Sequence, residues 1–443
     1  MAERRRSAKR SWWFRLLLLA AVLAVAAFAL AWRPAIDKLP ANTAQRFDPA
    51  QVRRGAQLAA VGTCATCHTA DPASPYAGGL PLHTPFGVVY STNITPDAAT
   101  GIGGWPEQAF MRAMRSGIAR DGHHLYPAFP YDHYTRLSDD DIRAIYAFVM
   151  TRDPIRAPAR DNQMTFPFGF RPLVAGWNLL FLDKQAVQPQ ADQGADWNRG
   201  AYLVDALGHC GACHTPRNAL GAPEKRQYLG GGEAEGWFVP ALNAHSPSPL
   251  PWTVDQLTAY LRTGIAADHA VAGGPMQDVV TSLAAADEND VRAIATYIHS
   301  HMGTPSPQTR DAALAGARQA SAQSLPMPPP GNSDEEKLIR AGAEVYAGAC
   351  ARCHDGGRQA SSGGALQLPA AVAVYDPDPR SLIHIIRDGI APPAAEPGRW
   401  MPAFAGALTD DQVVALAAYL RRHAAHLPPW PDLPASVQKA KQP

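Results

Sequence analysis

No cysteine in these 443 residues stands outside one recurring motif. The six present, Cys64, Cys67, Cys210, Cys213, Cys350 and Cys353, form three pairs at spacing three, each followed by a histidine. Nothing is left over for a structural disulfide or a free nucleophile. Charge of one sign is also lacking: 40 Lys and Arg face 39 Asp and Glu. Six of those bases and one acid fall in residues 1–32, which leaves a mildly acidic body of 34 against 38. Such a body excludes a nucleic-acid-binding surface, which depends on clustered positive charge. There is no dinucleotide fingerprint, phosphate loop or zinc-helix motif, so no catalytic site for an organic substrate is legible. Sustained period-two alternation is missing as well, and strands should be few.

What the chain does have is proline, 41 residues or about 9% against a usual value near 5%. That favours loops and linkers. Hydrophobic residues make up 46%, enough to build cores. At roughly 150 residues per domain the length predicts about three domains.

The N-terminus opens Arg4-Arg5-Arg6, Lys9-Arg10 and Arg15, then runs uncharged and apolar from Leu16 to Trp32. Seventeen residues is the short end of a bilayer span. The positive flank stays cytoplasmic and everything after Trp32 is exported. Residues 1–33 are therefore a signal anchor, bracketed by Trp12, Trp13 and Trp32, or a signal peptide cleaved near Ala29-Leu30-Ala31.

Four markers repeat three times along the body. A glycine-containing helix start (Arg54-Gly55, Arg199-Gly200, Ala341-Gly342) precedes each Cys-x-x-Cys-His by eight to ten residues. Then comes Arg-x-Gly-Ile at Arg115–Ile118, Arg262–Ile265 and Arg387–Ile390. Closing amphipathic helices begin near Asp141, Asp290 and Gln412, with Ser138, Asp287 and Thr409 placed to cap them. The pattern predicts an all-α chain of three tandem domains: 45–152, 197–302 and 334–426. A linker, 153–196, carries the apolar stretch Trp177–Leu182. A Pro/Ala/Ser-rich tether, 303–333, and a tail, 427–443, complete the layout.

A Cys-x-x-Cys pair alone fits a zinc half-site, a redox dithiol or a haem attachment. The adjoining histidine decides for c-type haem. Two thiols can add across the two vinyl groups of one porphyrin while the next imidazole lies beneath the iron. Three haems follow, with His68, His214 and His354 as proximal ligands. A covalently held porphyrin would also supply apolar interior to domains this small.

For the sixth ligand, Met276 and Met401 each lie 11 residues after the Ile of the third marker. A thioether there raises the potential of an electron-transfer haem. The same count from Ile118 reaches Phe129, which cannot bind iron. For haem 1 the candidates are His133, then His123 or His124, or an open or Met-ligated iron. Arg115, Arg262 and Arg387 recur either as partners for haem propionates or as surface arginines beside glycine turns.

With these motifs the chain resembles the triple-haem cytochrome c subunits of membrane-bound bacterial dehydrogenases. The resemblance covers about residues 45–425 and rests on Thr84-Pro85-Phe86-Gly87, Asn93–Asp97, Gly101–Trp105, Cys213–Asn218, Gly274-Pro275-Met276 and Met401-Pro402. That family includes alcohol and gluconate dehydrogenase cytochrome subunits and relatives serving periplasmic molybdenum hydroxylases. The resemblance implies three cytochrome c-like domains at the periplasmic face of the inner membrane. It also implies electron delivery from a dehydrogenase large subunit (molybdenum hydroxylase, flavin or quinoprotein type) to ubiquinone or a terminal oxidase. Phe129 departs from the alcohol dehydrogenase pattern, which has Met there, and tilts the reading toward the molybdenum-hydroxylase relatives. The chain is then no enzyme on its own. The rivals are a peroxidase built on a haem 1 without a strong sixth ligand, and a soluble electron shuttle.

Overall fold

The structure is a computed structural model. It describes residues 31–40, 45–266, 268–303, 306–355, 367–392 and 401–441, with scattered positions between 12 and 29. Eight of the 17 positions of the N-terminal apolar run, Leu16 to Trp32, thus lie outside the described residues. Among the described residues, no helix is long and apolar enough to cross a membrane. The body divides into two compact units, residues 1–55 with 67–186, and residues 56–66 with 187–443.

The first unit is assembled from short helices around one small sheet. Helix α1 (Pro49–Val61) starts in it, and a single turn, α2 (Cys64–His68), follows. Strands β1 (Pro81–Thr84) and β2 (Gly87–Tyr90) form an antiparallel hairpin in which Pro81 faces Tyr90. Helix α3 (Glu107–Ser116) buries Ala109, Phe110, Ala113 and Met114 at helical spacing. Gly117 ends it in the left-handed region, φ 61°, where its N–H donates to Ala113. After α4 (Tyr131–Tyr134), α5 (Asp139–Val149) is capped by Ser138, whose side chain accepts from the Asp141 N–H. Three acids in its first turn match the helix dipole.

The stretch expected as the first linker is built into this unit. Strand β3 (Gln163–Met164) adds to β2, with Gly87 facing Met164. Helix α6 (Leu173–Phe181) buries Val174 and Ala175, Trp177 meets the Tyr131 ring edge-on, and Tyr131 donates to Asn178 at 2.7 Å.

In the second unit, α7 (Ala195–Tyr202) runs into a π turn at Leu203–Leu207 and the single turn α8 (Gly211–His214). The hairpin β4 (Gly232–Ala234) and β5 (Trp237–Val239) follows. Helix α9 (Val254–Thr263) starts at a capping box, Thr253 with Gln256, and ends at Gly264, φ 78°. The two-residue pair β6 (Ile265–Ala266) and β7 (Ala270–Val271) leads to α10 (Pro275–Leu283) and α11 (Glu288–His301), the latter capped by Asp287. Part of the expected tether is the helix α12 (Pro307–Ser321), an alanine-rich sequence of high helix propensity.

The plan then recurs: α13 (Asp334–Val345), a π turn at Tyr346–Cys350 and α14 (Ala351–His354). It continues with α15 (Val372–Tyr375), α16 (Arg380–Asp388) and α17 (Asp410–His423), capped by Thr409. The expected tail forms α18 (Leu433–Lys439), because Trp430, Leu433 and Val437 bury themselves in the same core as Ile383, Leu416 and Tyr419.

The repeated glycine has a steric reason. A Cβ on Gly55 would lie 2.6 Å from the Ala144 carbonyl carbon, on Gly200 2.8 Å from that of Ala293, and on Gly342 2.5 Å from that of Ala415. Each opening helix thus crosses its closing helix at backbone contact. Beside two of these crossings Arg54 pairs with Asp141 and Arg199 with Asp290. The described strands are all short, two to four residues, so the helical reading holds with small hairpins added.

Candidate haem centres

In all three motifs the cysteines occupy one helical turn or its edge, so residues i and i+3 share a face. That is the geometry two thioethers to one porphyrin edge require. Burial pushes the Cys210 thiol up to about 12 and the Cys350 thiol up to about 11. These are apolar pockets holding neutral thiols rather than electropositive sites that activate a nucleophile.

The imidazoles carry the more specific information. His68 Nδ1 lies 2.6 Å from the Thr92 carbonyl, and His214 Nδ1 lies 2.8 Å from that of Pro240. A carbonyl only accepts, so each ring carries its proton on Nδ1 and keeps a lone pair on Nε2. Burial holds both rings neutral, lowering His68 and bringing His214 to about 4. A neutral, half-buried imidazole locked in this tautomer by a backbone acceptor is what a metal-ligating histidine needs. In both cases the acceptor follows a hairpin, Thr92 just after β2 and Pro240 directly after β5. A second bond fixes the same turn: Gly78 N–H donates to His68 O, and Gly231 N–H to His214 O, each at 2.8 Å. On these observations the residues fit a c-type haem. For the third motif, residues 356–366 and 393–400 flank it outside the described part.

Of the candidate sixth ligands, Met276 sits in the first turn of α10. It follows Gly274, whose φ of 54° and contact with the Trp237 indole suit glycine alone. Met401 pairs its backbone with Ile390, at 3.0 and 3.1 Å. The two loops meet: Gln277, next to Met276, donates to Ala391 O at 3.1 Å. Trp237 also stacks on His384 of α16, ring centroids 4.8 Å apart.

The Phe129 position is fixed by register. Ile118 bridges His124 and Leu125 N–H donates to Gly117 O. Ile265 pairs with Val271 and Ala272 N–H donates to Gly264 O. Four residues beyond Leu125 stands Phe129, and four beyond Ala272 stands Met276. Phe129 packs its ring toward Tyr134, centroids 5.5 Å apart. Of the histidines nearby, His123 is bound to Asp121 at 2.6 Å and His124 Nε2 donates to Ala31 O at 2.8 Å. His133, on α4, is mostly buried, with Nε2 4.0 Å from Asp132.

Arg115 is committed to the loop before α5, donating to Thr135 O and Leu137 O and pairing with Asp139. Arg262 keeps a buried Nη1 without a hydrogen-bond partner, and Arg387 a buried Nε. Thr92 and Pro240 were not legible as site residues. They act through backbone carbonyls, which leave no side-chain signature.

Residues 52–153 match the cytochrome c family, and residues 337–420 match the family of cytochrome c oxidase, cbb3-type, subunit III. The chain is 39% identical to the gluconate 2-dehydrogenase cytochrome c subunit of Pantoea cypripedii over 84% of its own length and 85% of that protein's. The chain belongs to the cytochrome c subunits of dehydrogenases. It is 34% identical to the cytochrome c subunit of the quinone alcohol dehydrogenase of Gluconobacter oxydans, covering 84% of that subunit. With a nicotinate dehydrogenase subunit of Pseudomonas putida it shares 44% identity over 98% of this chain. The chain spans about a third, 36%, of that relative's length. As a cytochrome c subunit it is an electron-transfer component of a dehydrogenase complex, with covalent haem c and a catalytic partner.

Proposed function

We propose that this cytochrome c subunit is a three-haem relay at the periplasmic face of the inner membrane. It takes electrons one at a time from a dehydrogenase large subunit and passes them to ubiquinone or a terminal oxidase. The observation that carries the reading is the pair of half-buried imidazoles, His68 and His214, each donating from Nδ1 to a carbonyl and keeping Nε2 for iron. His354 completes the proximal set by repeat. Met276 and Met401 are the sixth ligands of the second and third haems, and His133 that of the first. When bound, haem c supplies a one-electron iron couple.

The chain's own residues do the rest. Cys64, Cys67, Cys210, Cys213, Cys350 and Cys353 hold the three groups covalently. The β1–β2 and β4–β5 hairpins orient the imidazoles. The contact of Gln277 with Ala391 keeps the two methionine loops together, so successive centres are packed rather than tethered. Residues 16–32 anchor the chain where a membrane acceptor is available.

The partner we assign is a dehydrogenase of the kind that oxidises an N-heterocyclic acid. The support is the 44% identity along nearly the whole chain to a nicotinate dehydrogenase subunit, together with Phe129 in the methionine slot. Purified protein should carry three covalent haems by mass, all low-spin in the oxidised state. Added with the large subunit, nicotinate should reduce them. A high-spin haem that binds cyanide and turns over peroxide would replace the relay with a peroxidase.

A further inference from the structure

Five large apolar side chains in one stretch of the first unit face outward. Phe166 is 97% exposed, Leu179 70% and Leu180 68%, and Phe170 and Leu173 are exposed beside them. Scattered apolar residues on a surface are ordinary, but a cluster of this size marks a contact surface. The stretch is well held. Val174 and Ala175 of α6 are buried, Trp177 meets Tyr131, and Asn178 accepts from the Tyr131 hydroxyl. Leu173 and Leu180, seven residues apart, lie on the side of α6 away from those contacts. The outer face is apolar while the inner face is already satisfied.

A second observation says what covers it. The apolar run of residues 16–32 does not leave the body through a loose connection. Ala31 O accepts from His124 Nε2 at 2.8 Å, and His124 O accepts from Arg171 Nη1 at 2.9 Å. Arg171 adjoins Phe170 in sequence, so one buried histidine separates the end of the run from the exposed stretch. Beyond Ala31 the chain is strapped down. Arg112 donates to Pro34 O at 2.7 Å, Ile36 exchanges bonds with Arg120, and Leu39 N–H donates to Gly104 O at 3.0 Å. The Arg33 carbonyl sits where a side chain on Gly122 would begin. Nine free residues could reach about 30 Å; strapped, they give no such freedom.

We infer that the face formed by Phe166, Phe170, Leu173, Leu179 and Leu180 rests in the acyl region of the same bilayer that holds the N-terminal run. This rests on the reading of that run as a membrane anchor. The strap fixes the anchor's exit beside the face, so inserting one brings the other to the membrane surface. The exposed Lys184 borders the stretch, positioned for an anionic headgroup.

The test uses the full-length, haem-loaded chain in vesicles of phosphatidylethanolamine and phosphatidylglycerol. The photoreactive residue p-benzoylphenylalanine is placed singly at Phe166, at Leu180, and at the exposed Leu220 of the second unit. Each preparation is washed with alkaline carbonate before irradiation, and adducts are read by mass spectrometry. Retention with lipid adducts at 166 and 180 and none at 220 is the expected result. Retention without lipid adducts at 166 and 180, or with adducts to a protein there, overturns the proposal and leaves the anchor standing. Release by carbonate overturns the anchor reading and the proposal with it. All three positions are exposed, so the haem spectrum of each variant should match the parent.

Discussion

Replacing Gly200 by alanine should destabilise the second unit, although the same change in an open helix is stabilising. Gly200 lies in α7 where that helix crosses α11. An alanine Cβ would stand 2.8 Å from the Ala293 carbonyl carbon and 2.7 Å from Tyr297 Cβ, against 3.4–4 Å for an ordinary contact. Both neighbours are fixed. Ala293 and Tyr297 are buried in α11, so the two helices must separate by several tenths of an ångström. Overpacking of this kind costs about 1–3 kcal/mol, offset by up to about 1 kcal/mol of helix propensity gained on losing glycine. A net loss near 1–2 kcal/mol corresponds to a Tm fall of roughly 2–8 °C for a unit of this size. Thermal unfolding followed by far-UV circular dichroism, with haem absorbance as a second probe, reads it directly. Gly316→Ala in α12, where nothing lies within 4 Å of the new methyl, is the matched control and should raise Tm or leave it unchanged. Equal shifts for the two substitutions would refute the helix-crossing account, as would a stabilised Gly200→Ala protein.

Met276→Leu and Met401→Leu should each remove one thioether–iron absorption signature and lower one midpoint in a redox titration, leaving the covalent haem mass unchanged. With His133 on the first iron, His133→Ala should make that haem high-spin and able to bind cyanide, and Phe129→Met added to His133→Ala should bring a thioether signature and a low-spin haem of higher potential than the parent's. Asp376 is buried beneath Arg421 and Trp430 with Oδ1 unpartnered, and burial raises its pKa well above the usual carboxylate range. The native state therefore holds a proton that the unfolded chain has released, and stability falls as pH rises from about 4 through the folded value. Asp376→Asn should be more stable than the parent at neutral pH, with the gap closing below pH ~4 in denaturant melts; a gap independent of pH would contradict this.

The sequence alone carried the chemistry of the attachment sites because thiols and imidazoles announce themselves by identity and spacing. It also carried the caps at Ser138, Asp287 and Thr409, since each offers a side-chain oxygen to an amide of the first turn. The hairpins were less visible. Two to four residues per strand is too short for an alternation to register, yet β1–β2 and β4–β5 position the carbonyls that orient His68 and His214. The repeat glycines were visible as markers without their cause. Only the crossing of α7 on α11, and of α13 on α17, explains why Gly200 and Gly342 carry no side chain.

The three repeats differ in how each reaches the residue eleven places past its isoleucine. Two segments share the turn that sets Leu125 against Gly117 and Ala272 against Gly264, and four residues on they reach Phe129, just before α4, and Met276, in the first turn of α10. In the third segment Met401 itself pairs with the isoleucine of the Arg-x-Gly-Ile marker, and the intervening loop is longer. A common count of 11 residues thus conceals two different backbone routes to the methionine. At the same count Phe129 offers no ligand, since a phenyl ring has no lone pair for iron. The side chain at this count therefore distinguishes the first repeat from the second.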